Sequence, residues 1–160
     1  MTKHIPLLKD IFKTTDLLID STRRSDFSQY IIPNELIGDL KKDAIILDLT
    51  ADPYDTSVEP MQVKAIEGLP TGTLEKYVFE VDAEEYTHIP LEVSTKNRRL
   101  TISNNGWPGV LPMESMKEYE KQLLPFIDVL LSKGHKISLQ SDDLYERALF
   151  RSTLIHFLSF

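Results

Sequence analysis

The chain has no cysteine, which removes disulfides, thiol nucleophiles and cysteine-ligated metal sites at once. It has no apolar run of membrane-spanning length, and its opening residues MTKHIPLLKD lack a signal-peptide pattern. Glycine is scarce: the six, at 38, 68, 72, 106, 109 and 134, nowhere form the G-x-G-x-x-G turn of a dinucleotide-binding first strand. There is also no G-x-S-x-G elbow and no G-x-x-x-x-G-K-[ST] phosphate loop. His4, His88, His135 and His156 show no ligand spacing with one another or with carboxylates, which argues against metal catalysis. A net charge of -7 argues against a nucleic-acid or anionic-membrane surface. A cysteine-free chain without targeting signals is compatible with the cytoplasm.

What is present reads as a soluble globular chain, with 41% apolar and 27% charged residues among 160. Leu7, Leu8, Ile11 and Phe12 have the spacing of one buried helical stripe over residues 5–15. Asp16–Thr22 then reads as a strand that is apolar on both faces, as parallel strands usually are. Pro33 suits a helix first turn, and that helix is expected to run to about Lys41. Ala44–Leu49 is the clearest strand. The order helix, strand, helix, strand predicts a parallel crossover.

Asp52–Thr73 holds Pro53, Pro60, Gly68, Pro70 and Gly72, a long irregular connection of the kind that tends to be functional. Tyr77–Phe79 and Ile89–Leu91 are expected as short edge elements. Glu80, Asp82, Glu84 and Glu85 suit a solvated face, and Arg98–Ser103 is the next strand. From Glu114 the period changes: Met116, Tyr119, Leu123, Ile127 and Leu130 form one helical stripe, with a kink expected at Pro125 and a stop at Gly134. Ser141 is the expected cap of a last helix, whose buried stripe would be Leu144, Ala148, Leu149 and Leu154. Residues 1–110 thus read as α/β and 111–160 as a helical extension.

Two strand ends point at one region. Asp52 follows the strand 44–49, where a partly desolvated carboxylate can act as a base or hold a polar ligand; an Asx turn before Pro53 is the structural alternative. Asn104–Gly109, around the only Trp, follows the strand 98–103. Asn and Gly permit the positive φ such a loop needs, and the crevice beyond the carboxyl ends of parallel strands is where open α/β sheets bind ligands. Thr22 and Arg23, after the first strand, are a third contributor. Arg98-Arg99 suits an edge-strand or salt-bridge role better than a phosphate clamp.

Three segments together carry a resemblance. They are Asp16–Thr22 with Tyr30-Ile31-Ile32-Pro33, Ile45–Asp52, and Trp107–Ser115 with Leu123-Leu124-Pro125-Phe126. In order and spacing they resemble the C-terminal part of the alanine dehydrogenase and pyridine-nucleotide transhydrogenase family, which includes lysine-forming saccharopine reductases. The resemblance implies the second half of a Rossmann-like parallel sheet and hydride transfer between NAD or NADP and an amino or keto acid. It implies Asp52 as the catalytic or substrate-orienting carboxylate. It places Asn105, Gly106 and Trp107 at the nicotinamide side of the cofactor; Thr22, Arg23 and Thr50, at the ends of the other two strands, are further cofactor-binding candidates. Two departures are visible: Pro53-Tyr54-Asp55 stands where the family has a glycine-containing turn, and Gly106 stands where it has asparagine. The family's substrate domain and glycine turn are not among these residues. The chain is therefore expected to be incomplete alone and to associate, as a homo-oligomer or with a partner chain. A non-catalytic oligomerisation or regulatory relative is the alternative, and a small binding domain for an acidic or amino-acid ligand, anchored by Arg23, Arg24, Arg98 and Arg99, a third reading.

Overall fold

The computed structural model describes residues 5–153 and 156. The chain falls into two compact units, Met1–Val110 and Leu111–Phe160.

The first unit is built on a four-stranded open sheet in the order β1 (Leu17–Asp20), β2 (Ile45–Asp48), β4 (Leu100–Ser103), β3 (Val78–Phe79). β1, β2 and β4 run parallel; β3 is antiparallel to β4. The expected edge element at 77–79 is thus a short strand. Residues 89–91 are not a strand: a 3₁₀ turn over Glu84–His88, not anticipated from sequence, runs straight into Ile89.

Strand register assigns every side chain to a face. Leu18, Ile46, Thr101 and Phe79 stand level across the sheet, as do Asp20, Asp48 and Ser103 two residues on. Ile46, Thr101 and Phe79 are buried. Leu18 and Ile46 on this face pack with Phe12 of α1 (Ile5–Phe12), Leu36 and Ile37 of α2 (Asn34–Ile37), Leu40, and Ile66 and Leu69 of the long connection. Fully burying each such aliphatic side chain contributes about 1.5–3 kcal/mol. A second cluster, Phe79, Tyr86, Ile89 and Val93, lies beside it. Asn34 is fully buried and fixes the connections: its Oδ1 accepts the Asn97 amide (2.8 Å), its Nδ2 donates to Asn97 O (2.9 Å), and its own amide reaches Glu67 (2.7 Å).

The opposite face is aliphatic and bare. Leu17, Ile45 and Leu100 stand level, then Ile19, Leu47, Ile102 and Val78. Leu17, Ile19 and Val78 are about half exposed, and the four between them are only partly covered.

The helix expected over 33–41 is one turn of α-helix. Gly38, Asp39 and Leu40 donate to the carbonyls three residues back, which tightens the chain out of α geometry. Arg99 then ends it, donating Nε to Lys41 O and Nη2 to Leu40 O (both 2.6 Å). Arg99 is therefore a buried cap on backbone carbonyls, not half of a salt bridge. Arg98 lies over the Tyr86 ring at 4.3 Å.

α3 (Trp107–Val110) is a single turn after β4. The second unit holds α4 (Pro112–Lys133) and α5 (Leu144–Arg151). α4 is continuous through Pro125 and ends at Gly134, φ 53°. Its expected buried stripe is exposed: Met116, Tyr119, Leu123, Ile127 and Leu130 all lie open, and only Val129 is buried. The cap of α5 is Asp143, whose carboxylate accepts the Tyr145 and Glu146 amides, not Ser141. Leu144 is exposed, Ala148 and Leu149 are half-buried, Leu154 lies outside the described residues, and the buried position is Glu146.

Candidate functional site

The carboxyl ends of β1, β2 and β4 finish level on Asp20, Asp48 and Ser103, all buried. The turns that leave β1 and β2 are built alike. Asp20 Oδ1 accepts the amide and hydroxyl of Thr22 (2.9 and 2.7 Å). Asp48 Oδ1 accepts those of Thr50 (3.0 and 2.8 Å) and the Ala51 amide (2.8 Å). These are Asx turns on two neighbouring strands. The second holds Ala51 at φ 43°, a left-handed conformation that an L-residue adopts at a cost of about 1–3 kcal/mol. That turn sets the direction of Asp52.

Asp48 is the centre of the cluster. Its Oδ2 accepts Lys64 Nζ at 3.1 Å and Ser103 Oγ at 2.9 Å, so one carboxylate ties β2, β4 and the connection 60–70 together. Burial pushes this carboxyl up; the Lys64 charge, the Ala51 amide and the Thr50 hydroxyl outweigh it and leave it below its ordinary value. Burial pulls the Lys64 ammonium down further than Asp48, Asp52 and Asp20 raise it. Lys64 also faces the Tyr54 ring, at 6.0 Å. Burial drives the Tyr54 hydroxyl far above the ordinary tyrosine value.

Asp52 is half-buried and engages Arg24 Nη2 at 2.9 Å. Its carboxylate makes no Asx turn before Pro53; that role belongs to Asp48 and Asp20. Arg24 is itself fixed by Val63 O (2.6 Å), Gln29 O (3.0 Å) and the Phe27 ring at 4.8 Å. Thr71 Oγ1 donates to Asp52 O at 3.3 Å. Pro53, Tyr54, Thr71, His88 and Glu92 line an open cleft of roughly 580 Å³ beside it.

The Trp loop is anchored from the other strand. Asn104 Oδ1 accepts the Gly106 amide (2.7 Å), its Nδ2 donates to Thr73 O (3.2 Å), and its amide donates to Asp48 O (3.1 Å). Trp107 meets Tyr77 edge to face at 6.1 Å, and its buried indole N–H has no hydrogen-bond partner among the described residues. Gly72 is required: a Cβ there would stand 1.7 Å from Ser103 O.

Of the residues singled out from sequence, Thr22 and Thr50 have their hydroxyls engaged by Asp20 and Asp48. Arg23 is exposed and Asn105 is exposed on the loop. The structure joins Asp52 to Arg24, and joins the Trp loop to β2 through Asp48, not through Asp52. Lys64, Asp48, Asp20 and Ser103 were missed. The repeated Asp-x-Thr at two strand ends, and a lone lysine inside Val63-Lys64-Ala65-Ile66, are the signals that point to them. Among the described residues no group of three or more His, Asp or Glu is placed to hold a metal ion.

These features define a mixed α/β protein with an open, mostly parallel sheet and a polar cluster at its carboxyl edge. No helix among the described residues is long and apolar enough to cross a membrane. Comparison of the chain with protein-family models, with curated proteins and with solved structures finds no match.

Proposed function

We propose that this chain supplies the nicotinamide-side half of the active site of an NAD(P)-dependent amino-acid dehydrogenase, completed by further polypeptide that pairs with β1. The observation that carries the reading is the state of β1. It is a parallel strand at an open edge, with Leu17 and Ile19 bare on one face. Parallel strands that are apolar on both faces belong inside covered sheets, and an exposed edge of this kind invites another strand. Ligands of such sheets sit beyond the carboxyl ends of the strands, where Asp52, Thr50, Thr22 and the Trp loop stand.

The residues present suit one end of a dinucleotide. The exposed Arg23 can donate to a carboxamide, ribose or phosphate oxygen. The pyrophosphate has no cradle, because no glycine turn is among these residues. When bound, the cofactor supplies the hydride chemistry; the chain orients it and sets the charge around it. Asp52, held by Arg24, is the group assigned to orient or deprotonate the amino acid.

The single Trp is the reporter. NADH titrated into the chain alone is expected to give no saturable quenching of Trp107. Saturable quenching and turnover are expected once a polypeptide carrying the glycine turn is co-expressed. Tight NADH binding by the chain alone overturns this division of labour, and full turnover in a reconstituted D52N enzyme overturns the role of Asp52. The bare sheet face also favours a second reading, a non-catalytic oligomerisation module, for which D52N changes nothing.

A further inference from the structure

Three carboxylates are buried among the described residues: Asp20, Asp48 and Glu146. Two of them have a cation, Lys64 for Asp48 and Lys133 for Glu146. Asp20, 4% exposed, has no ion pair with a described residue. Its hydrogen bonds come from the Thr22 amide and hydroxyl, and both fall on Oδ1. The Lys64 charge reaches Asp20, but the Lys64 ammonium is bonded to Asp48 at 3.1 Å. Burying a charge is costly unless it is paired, so a carboxylate in this state marks a place for a cation.

Asp20 lines a cavity of roughly 40 Å³ at the end of β1, whose other walls are Ile19, Ile31, Ile32, Ala65 and Ile66, with Thr22 beside them. A water needs about 10–15 Å³ of such space, so the cavity takes a group of about three heavy atoms. Size and lining together restrict the cation. A divalent metal needs several oxygen ligands. Here the walls are aliphatic, the Thr22 hydroxyl is given to Asp20, and Ala65 O and Ile32 O already accept the amides of Ile31, Ile32 and Glu67. A guanidinium has four heavy atoms in one plane and is too wide. A primary ammonium on an unbranched stem fits both parts: it donates to the carboxylate, and its methylenes lie against the isoleucines. The cavity also stands at the sheet's edge, because no described strand lies on the outer side of β1. A strand added there would carry its side chains past Ile19 and Asp20. We infer that this cavity receives the ammonium of a lysine on a strand that pairs with β1. The inference rests on that part of the reading above in which further polypeptide covers β1, and it names the side chain that the edge recognises. It uses neither Asp52 nor a cofactor, so its failure leaves the D52N outcome standing, and the NADH titration does not decide it.

The test titrates the full chain with n-butylammonium, a lysine side chain without its backbone. Binding is followed by NMR through the Asp20 carboxyl carbon and the methyl groups of Ile19, Ile32 and Ile66. n-Butanol and n-butyrate have the stem without the positive charge, and potassium has the charge without the stem. Saturable shifts with n-butylammonium, and much weaker ones with all three comparators, are expected. D20N should weaken the amine about tenfold or more, the loss of one charge-assisted contact. D26N, at an exposed carboxylate elsewhere, should leave it unchanged. The comparators act on the wild-type fold, so they decide the matter even if D20N does not fold. A second arm uses a capped Thr-Val-Lys-Val-Thr peptide and its norleucine counterpart. The lysine peptide should bind more tightly than the free amine and shift the amides of β1, and the norleucine peptide should bind about tenfold or more weakly than it. Four results overturn the proposal: no saturable shift with n-butylammonium, n-butanol or potassium binding as well as it does, amine affinity unchanged in folded D20N, or a lysine peptide that binds no better than its norleucine form.

Discussion

Lys64 and Asp48 close an ion pair at 3.1 Å, with side chains only 1% and 2% exposed. Removing one partner of such a pair leaves a desolvated charge behind, which costs about 3–5 kcal/mol, whereas removing both costs far less. K64M should therefore be strongly destabilising. The K64M/D48N double variant should be less destabilised than the two single losses added, by about 1–3 kcal/mol. Urea unfolding of the four proteins measures this. Losses that simply add would mean that the two side chains are held by their other partners and not by each other.

The same carboxylate gives an acid dependence of known sign. Its folded pKa lies below the ordinary 3.8, so the folded state binds its proton later than the unfolded chain as pH falls. The stabilisation is fully present above about 3.8 and is lost as pH drops through the folded value. The urea midpoint of the wild type should fall between about pH 6 and about pH 3. In K64M, without the neighbouring charge, burial raises the folded pKa toward or above the unfolded value, so the part of the fall due to Asp48 should shrink or reverse; in D48N that part of the slope should be missing. Identical profiles for wild type and D48N would remove Asp48 as a source of acid sensitivity.

How much of this was legible beforehand depends on how local the cause is. β1, β2 and β4 follow from short apolar runs, and their parallel pairing follows from what lies between them. The edge strand at 78–79 follows from Tyr77-Val78-Phe79. The one-turn length of α2 was not legible, because the residue that stops it, Arg99, comes from the start of β4, 58 positions away from Lys41. The stripe on α4 was legible as a period but not as exposure, since periodicity says which residues share a face and not what covers it. At the site, Asp52 was visible because it follows a strand and precedes a proline. Its partner Arg24 is separated from it by 28 positions. Asp48 reads as an interior strand residue until Lys64 and Ser103 are seen around it, and no local pattern announces a contact that three distant segments make together.

The bare face of the sheet makes a prediction about association. Leu17 and Ile19 stand on it about half exposed, next to a β1 edge that no described strand pairs with, and Val78 is half exposed at the opposite edge. Contiguous exposed apolar surface and open edges drive binding and aggregation. The L17E/I19E variant should keep its fold, with stability within about 1 kcal/mol because neither side chain is in the core. It should bind less of a hydrophobic dye and scatter less light at high concentration than the wild type. Unchanged dye binding would show that these two residues are not the accessible apolar surface.

In the second unit, Glu146 is the only charged side chain of α5 that is buried, and its partners explain why it is tolerated there. Lys133 at the end of α4 and the Ser141 hydroxyl (2.5 Å) donate to Oε2, and the Ser138 amide (2.9 Å) donates to Oε1. The Lys133 and Ser141 hydrogen bonds hold the carboxyl below its ordinary 4.5. Its contribution is therefore present above about 4.5 and lost as pH falls through the folded value. Glu146 joins the end of α4, the 138–141 turn and the start of α5, so its loss should loosen all three together. E146A should speed amide exchange at Ser138, at the first turn of α5 and at the last turn of α4, while the amides of β1, β2 and β4 exchange as before. E146Q, which keeps the shape and an acceptor but not the charge, should fall between the two. The difference between wild type and E146A should shrink as pH is lowered below about 4. Exchange at Ser138 that is unchanged in E146A would mean that the turn is held by its own backbone and not by this carboxylate.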